Sequence, residues 1–231
     1  MPVVIASLFP ELTNSQGDAE NAWALARVVQ WHGQDSEVRI VSARDQGVDD
    51  ARVIVMGHVV GSQESALAAA VADLTGWIRD RLNSGAALLA VGSAQRILSE
   101  AGFLAGRVTA RADHFVGDLV VNRSGFAREL WGFQNSDLTY ICGDDEEALG
   151  LTVRGAGNDN GTDGVVRRIG AGLIVGTSLH GPVCVRNPEL ALWLLENAGV
   201  TLDDARREPE WVTALSLANS LWEKRRADLE I

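Results

Sequence analysis

Cysteine is scarce in this 231-residue chain, which contains only Cys142 and Cys184. Neither has a second cysteine or a histidine at zinc-ligand spacing, so the sequence indicates neither a disulfide framework nor a structural zinc site. We expect both thiols to be small buried apolar groups. Gly155-Ala156-Gly157-Asn158 is a poor dinucleotide loop because no helical pattern follows it. We therefore predict no bound metal and no cofactor.

Basic residues are also in the minority. The chain has 20 Lys and Arg against 31 Asp and Glu, a net charge of −11 and a pI near 4.8. Because nucleic-acid binding needs clustered cations, we expect no nucleic-acid partner. No run of about 18 apolar residues could span a bilayer. The apolar N-terminal run 3–8 lacks a basic leader and predicts a strand rather than a signal peptide, so we expect a soluble, cytoplasmic protein.

The first half of the chain alternates short apolar strands with helical patterns. Residues 52–56 and 87–91 are apolar without polar alternation, which predicts strands buried on both faces. Asp18 is expected to be an N-cap or an N-terminal acidic residue of a helix that ends near Gly33. Further elements are predicted as strands at 3–8 and 37–42, a long helix at 64–83, and a strand-turn-helix at 91–98.

The second half has a different pattern. Its short segments are separated by Gly, Asn and Asp, which favours antiparallel strands at 116–121, 130–133, 138–142 and 165–174. Two helices are predicted at the end, at 188–198 and 209–228. This order predicts one α/β domain over residues 1–231, with a doubly wound sheet and an added antiparallel β segment. Ligands should then bind beyond the strands' carboxyl ends, after Met56 and Val91 and around His180.

The strongest local motif is Leu179-His180-Gly181-Pro182, followed by Arg186-Asn187-Pro188-Glu189-Leu190. A strand ends, a histidine is presented, and Gly-Pro fixes a turn before a helix that Asn187 is positioned to cap. From these residues alone, His180 is either a structural turn residue or a catalytic base.

The motif closely resembles the segment that carries the catalytic histidine in GatD-type and cobyric-acid-synthase-type glutamine amidotransferases. Further segments resemble the same family in the family's order, over nearly the whole chain. These segments are Gly17-Asp18 with Asn21, residues 116–121, residues 132–135 and residues 155–159.

The resemblance implies a flavodoxin-like fold of the class I amidotransferase type. It implies that His180 is the base that activates an elbow cysteine, which attacks the side-chain amide of glutamine and forms a thioester and ammonia. It also implies a heterodimer with a MurT-like Mur ligase subunit, which uses the ammonia to amidate the peptidoglycan precursor lipid II.

The chain departs from this family at the predicted site. An ungapped alignment places Gly92 where the cysteine belongs, and a shift by one residue places Ser93 there. The loop Gly57-His58-Val59 keeps one of three glycines that bring backbone N–H groups to the oxyanion, and Val59 disfavours a positive φ. His114 stands where the family has a substrate-binding arginine. The resemblance thus implies that Gly57, His58 and His114 occupy substrate-binding positions.

Three hypotheses follow. The first is a GatD-like subunit that has lost glutaminase activity and kept its ligase partner. The second is an active amidotransferase, of cell-wall or cobyric-acid type, that uses Ser93 or a non-equivalent thiol. The third is a stand-alone protein that binds a small molecule in the former glutamine pocket.

Overall fold

The computed structural model describes residues 1–158 and 160–231, with Ala205 described by its backbone alone. Asp159, the last residue of the predicted 155–159 match, lies outside these residues. The strands are β1 (Val3–Leu8), β2 (Ser36–Val41), β3 (Ala51–Met56), β4 (Ala87–Val91), β5 (Arg107–Asn122), β6 (Leu130–Ile141), β7 (Gly150–Arg154), β8 (Thr162–Asp163), β9 (Val165–Ile169) and β10 (Gly172–Thr177). The helices are α1 (Pro10–Thr13), α2 (Asn21–Trp31), α3 (Glu64–Asp73), α4 (Thr75–Asn83), α5 (Ala94–Glu100), α6 (Val183–Arg186), α7 (Pro188–Asn197) and α8 (Pro209–Leu229).

A six-stranded sheet forms the centre of the fold, in the order β2-β1-β3-β4-β10-β9. Its strands pair in parallel except for β9, which pairs antiparallel with β10. Val53 and Val55 of β3 pack on one side of the sheet with α2 and α7, whereas Ile54 and Met56 pack on the other side with α3, α4 and α5. The prediction of a doubly wound sheet buried on both faces is confirmed.

A second, antiparallel sheet has the order β6-β5-β7-β8. It confirms the predicted added β segment, but the predicted strands 130–133 and 138–142 form one continuous strand, β6. Ladder pairing carries the chain through the intervening polar residues, and Asp137 among them points to solvent. The predicted strand 165–174 is a hairpin, in which Gly170 turns at φ 57° so that β10 joins the central sheet.

The predicted helix 64–83 is two helices, α3 and α4, that meet at Leu74. Thr75 and Gly76 follow this break, and both are poor helix formers, which explains why the periodic apolar pattern did not produce one helix. The last helix, α8, stacks Trp222 on Trp131 of β6 and buries it against Val120 of β5. None of the helices in the described residues is both long and apolar enough to cross a membrane.

Candidate functional site

The carboxyl ends of β3, β4 and β10 meet at one edge of the central sheet and bring together four of the predicted site residues. The rings of His58 and His180 are 5.0 Å apart between centroids and nearly perpendicular. The hydroxyl of Ser93 is 3.0 Å from His58 Nδ1. An ideal Cβ on Gly92 would lie between the two rings. This is the edge at which ligands bind in doubly wound sheets.

Gly92 forms a sharp turn between β4 and α5. Its φ is 60°, a left-handed conformation that favours glycine, and its N–H donates to the carbonyl of Thr177 at 2.9 Å. A Cβ at this position would lie 2.5 Å from His180 Cε1 and 2.9 Å from His58 Nδ1. The backbone therefore turns as a nucleophile elbow does, while the space for a side chain is filled by two imidazoles.

His180 is fully buried at the end of β10. Its backbone N–H donates to the carbonyl of Phe133 at 2.8 Å. Its ring contacts both the His58 ring and the Phe133 ring. Nδ1 is 3.4 Å from a carboxylate oxygen of Asp18, but Nε2 is buried without a hydrogen-bond partner among the described residues. A buried ring nitrogen without a partner is uncommon and marks the position that a base would use.

Asp18 connects the loops on either side of His180. Its carboxylate accepts from the N–H of Gly181 at 2.9 Å and from the N–H of His58 at 3.0 Å. Of the two expected roles, Asp18 does not cap α2, since its carboxylate is committed to these two loops. It is an acidic residue of the short 3-10 turn that precedes the helix. Its contacts with the two loops were not predicted, although Gly17-Asp18 with Asn21 was among the matching segments.

Two asparagines hold the His180 loop from outside. Asn21 Oδ1 accepts from the N–H of Cys184 at 2.9 Å. The side chain of Asn187 bonds both the N–H and the carbonyl of Trp131, each at 2.9 Å. Asn187 is the N-cap residue of α7, as predicted, and its carbonyl accepts from the N–H of Leu190 at 3.0 Å, but its side chain makes no cap bond and joins β6 to the loop instead.

A buried carboxylate fixes the strand end before His180. Asp163 accepts from the hydroxyl of Thr177 at 2.6 Å and from the N–H of Ser178 at 3.2 Å. Complete burial raises the pKa of Asp163, and these two hydrogen bonds oppose that rise. This contact was not predicted from the sequence, because nothing in the local pattern separates Asp163 from a surface turn residue.

Ser93 is buried and faces the loop after β3. Its Oγ accepts from the N–H of Val59 at 3.0 Å and lies 3.0 Å from both the carbonyl of Val59 and His58 Nδ1. The N–H of Ser93 donates to the same Nδ1 at 3.3 Å. Since Nδ1 accepts from this backbone N–H, the arrangement fits a neutral His58 with its proton on Nε2.

Burial, and to a smaller extent the neighbouring His180, lower the pKa of His58 to about 4 against the opposing charges of Asp18 and Asp137. His58 is therefore neutral at physiological pH. The ring accepts a hydrogen bond and fills space without adding a charge to the site.

Three backbone donors beside the elbow are engaged. The N–H groups of His58, Val59 and Ser93 bond Asp18, the Ser93 hydroxyl and His58 Nδ1 respectively. His58 and Val59 have no positive φ, in agreement with the expected effect of Val59. Gly57 is needed for a close approach, because a Cβ there would lie 2.7 Å from Cβ of Asp18. No donor of this group is left to bind an oxyanion.

His114 lies apart from this group. It is exposed in the irregular stretch of β5 between Ala110 and Phe115, and its Nε2 is 2.7 Å from Oδ1 of Asn135. In the described part of the chain, no hydrogen bond or ring contact connects His114 to His58 or His180. Its assignment to substrate binding stays a prediction.

The two thiols lie elsewhere. Cys184 is buried against α2, and burial raises its pKa. Cys142 is 3.7 Å from the carbonyl of Gly164, and burial, with the charge of Glu146, raises its pKa to about 11. A nucleophilic thiol needs a lowered pKa, which neither has. No group of three metal-binding side chains occurs among the residues that the structure describes.

Comparisons with known proteins agree with the predicted resemblance. No family model matches the chain. The chain is 26% identical over 224 residues to the GatD subunit of the glutamine-hydrolysing lipid II isoglutaminyl synthase of Streptococcus pneumoniae, covering 84% of this chain and 79% of that protein.

Solved structures show the same fold at lower identity. A chain of PurLQS from Thermotoga maritima superimposes with a TM-score of 0.59 at 17% identity, over 86% of this chain and 95% of that one. A glutamine amidotransferase from the same organism does so with a TM-score of 0.57 at 15% identity, over 96% and 97%. The chain thus has the class I glutamine amidotransferase fold and is GatD-like in sequence.

Proposed function

We propose that this chain is a GatD-like subunit that has lost glutamine hydrolysis and serves a MurT-like ligase as a structural or regulatory partner in lipid II amidation. Gly92 carries the proposal. It stands at the elbow with no side chain, and a Cβ there would lie 2.5 Å from the His180 ring. Glutamine hydrolysis needs a C–S bond to form as ammonia leaves, and the elbow offers no atom to form it.

The surrounding groups support the same conclusion. The backbone N–H groups of His58, Val59 and Ser93 already bond Asp18, the Ser93 hydroxyl and His58 Nδ1. Oxyanion stabilisation is commonly worth about 3 kcal/mol per donor in such reactions. A chain without a nucleophile and without these donors lacks both main contributions to the reaction.

The second hypothesis, an active enzyme with another nucleophile, finds less support. The Ser93 hydroxyl faces the backbone of Val59 rather than His180. Ser93 as a whole residue is only 1% exposed. Cys142 and Cys184 have raised pKa values and no contact with His180 among the described residues. The stand-alone binding hypothesis is weakened because the two imidazoles fill the space at the elbow.

The proposal is tested by measuring ammonia and glutamate release from glutamine, for the chain alone and with a MurT-like ligase. The GatD relative, paired with its own ligase, is the positive control. We expect no release above background from the native chain. Release that an electrophilic glutamine analogue abolishes by labelling one residue would show that the chain is an active amidotransferase.

Partnership requires a separate experiment. We expect the chain to co-purify with a co-expressed MurT-like ligase in a stable complex, and the complex to amidate lipid II with ammonium but not with glutamine. A ligase that elutes separately from the chain would contradict the proposed partner. Amidation with glutamine as the nitrogen source would contradict the proposed inactivity.

A further inference from the structure

We infer that His58 acts as a wedge that holds the His180 ring in the space of a residue-92 side chain, so that the elbow is closed by His58 as well as by the loss of the cysteine. This inference rests on the proposed loss of glutaminase activity and names the residue that maintains it. His58 is then a positioning residue, because it acts through His180.

The His58 ring is fixed from three sides. Its backbone N–H bonds Asp18, and its Nδ1 faces both the N–H and the hydroxyl of Ser93. Its ring meets the His180 ring nearly edge-on, at an interplanar angle of 81°. The backbone bond to Asp18 fixes the loop, and the ring cannot move away without losing the contact of Nδ1 with Ser93.

His180 packs against both His58 and Phe133. The centroids of the Phe133 and His180 rings are 5.7 Å apart, and the backbone N–H of His180 is bonded to the Phe133 carbonyl. The His180 ring can withdraw from Gly92 only if a neighbour yields. Phe133 belongs to the long strand β6, whereas His58 is in a loop, so His58 is the neighbour whose removal opens space without disturbing a sheet.

The His58 ring also occupies an oxyanion position. The N–H that follows an elbow nucleophile is a usual oxyanion donor, and here the corresponding N–H of Ser93 points to His58 Nδ1. Removal of the imidazole would therefore free both the side-chain space at residue 92 and one backbone donor. While His58 is present, a cysteine at residue 92 would have neither the side-chain space nor the free Ser93 N–H.

A stability cycle tests the wedge without any need for activity. Gly92→Ala is made in the native chain and in a His58→Gly background, and thermal unfolding is measured. We expect Gly92→Ala to lower Tm by roughly 6 °C in the native chain and by less than about half of that without His58. Some loss stays in both backgrounds because alanine is strained at a φ of 60°.

Val60→Gly is the matched control. Val60 is an exposed neighbour of His58, so this change loosens the same loop and keeps the imidazole. The loss caused by Gly92→Ala should stay at its native size in the Val60→Gly background. His58→Ala also removes the imidazole and changes the loop's flexibility less than His58→Gly does. The result then does not depend on the folding of a single variant.

A thiol probe gives a second readout. Gly92→Cys is alkylated with iodoacetamide with and without His58→Gly, and the modified peptides are quantified by mass spectrometry against Cys142 and Cys184. We expect alkylation of the introduced thiol to be at least about tenfold faster when His58 is absent, since buried thiols react slowly.

The outcomes separate the two proposals. An equal loss of Tm from Gly92→Ala with and without His58, or equal alkylation rates, would overturn the wedge while the native chain could still be inactive. Glutamine hydrolysis by the native chain would overturn the proposed function whatever the cycle shows. A smaller loss of Tm without His58, together with faster alkylation, would support the wedge.

Discussion

The two loops that meet at Gly92 are held in different ways. The His180 loop is anchored by side chains from other elements, since Asp18 and Asn21 bond its backbone and Asn187 joins it to β6. The loop after β3 shares Asp18 with the His180 loop and is otherwise held by two serines, because its N–H groups bond Asp18 and the Ser93 hydroxyl, and the Ser15 hydroxyl donates to the His58 carbonyl.

The difference separates the two halves of the site. The His180 loop carries the segment that resembles the family's motif, and its anchors do not involve residue 92. The loop after β3 places the His58 ring against Gly92. Under the proposed loss of glutaminase activity, the departures from the family therefore lie more on the oxyanion side than on the base side.

Asp18 is shared by both loops, so its replacement should have the largest effect on this comparison. Asp18→Ala leaves two buried backbone N–H groups without acceptors, and we expect a loss of about 3 kcal/mol in the free energy of unfolding. Glu20→Ala, an exposed change in the same 3-10 turn, is the control and should change stability by less than about 0.5 kcal/mol. Urea unfolding measures both. A small effect of Asp18→Ala would mean that the loops do not depend on it.

The loop after β3 should make stability depend on pH. The pKa of His58 is lowered from 6.5 to about 4 in the folded chain, so the unfolded state binds more protons between these values. The contribution of His58 is complete above about pH 6.5 and is lost as pH falls to about 4. Allowing for partial exposure, we expect a loss of roughly 2 kcal/mol.

His58→Gln isolates this contribution, because glutamine does not titrate in this range. Urea unfolding at pH 7, 5.5 and 4.5 should show a smaller decline with pH for the variant than for the native chain. Equal declines would assign the pH dependence to groups other than His58.

His114 should have the smallest effect. It is exposed and bonds only Asn135 among its described polar contacts, so His114→Ala should change stability by less than about 0.5 kcal/mol. The loss of Tm caused by Gly92→Ala should also be unchanged in this background. A change in that loss would show that the irregular part of β5 reaches the elbow.

Much of the fold was predictable because its signals are local. The apolar runs at β3 and β4 predicted strands with two buried faces, and both are confirmed. The predicted helix 64–83 failed because apolar periodicity continues across Leu74 while the backbone does not. The join between predicted strands in β6 was missed because ladder pairing, a long-range interaction, overrides local turn signals.

The sequence indicated where in the fold the site lies, but not which side-chain contacts its residues make. The strand ends pointed to the turns after Met56 and Val91 and to the loop around His180, and the structure places His58, Gly92 and His180 side by side there. Asp18 was assigned to the start of a helix because local sequence favours that role, and its contact with Gly181, 163 residues away, leaves no local trace. The direction of the Ser93 hydroxyl likewise depends on a loop 34 residues earlier.

The crowded elbow also constrains how this lineage can evolve. A single nucleotide change converts the glycine codons GGU and GGC into cysteine codons, so from either codon a thiol at residue 92 is one mutation away. If His58 fills the space, that mutation brings a strained backbone and a steric clash before it brings any chemistry. Recovery of the enzyme would first require a change at His58, which gives no benefit while residue 92 is glycine. Under the proposed loss of activity, the His58 imidazole would then make that loss hard to reverse by a single mutation.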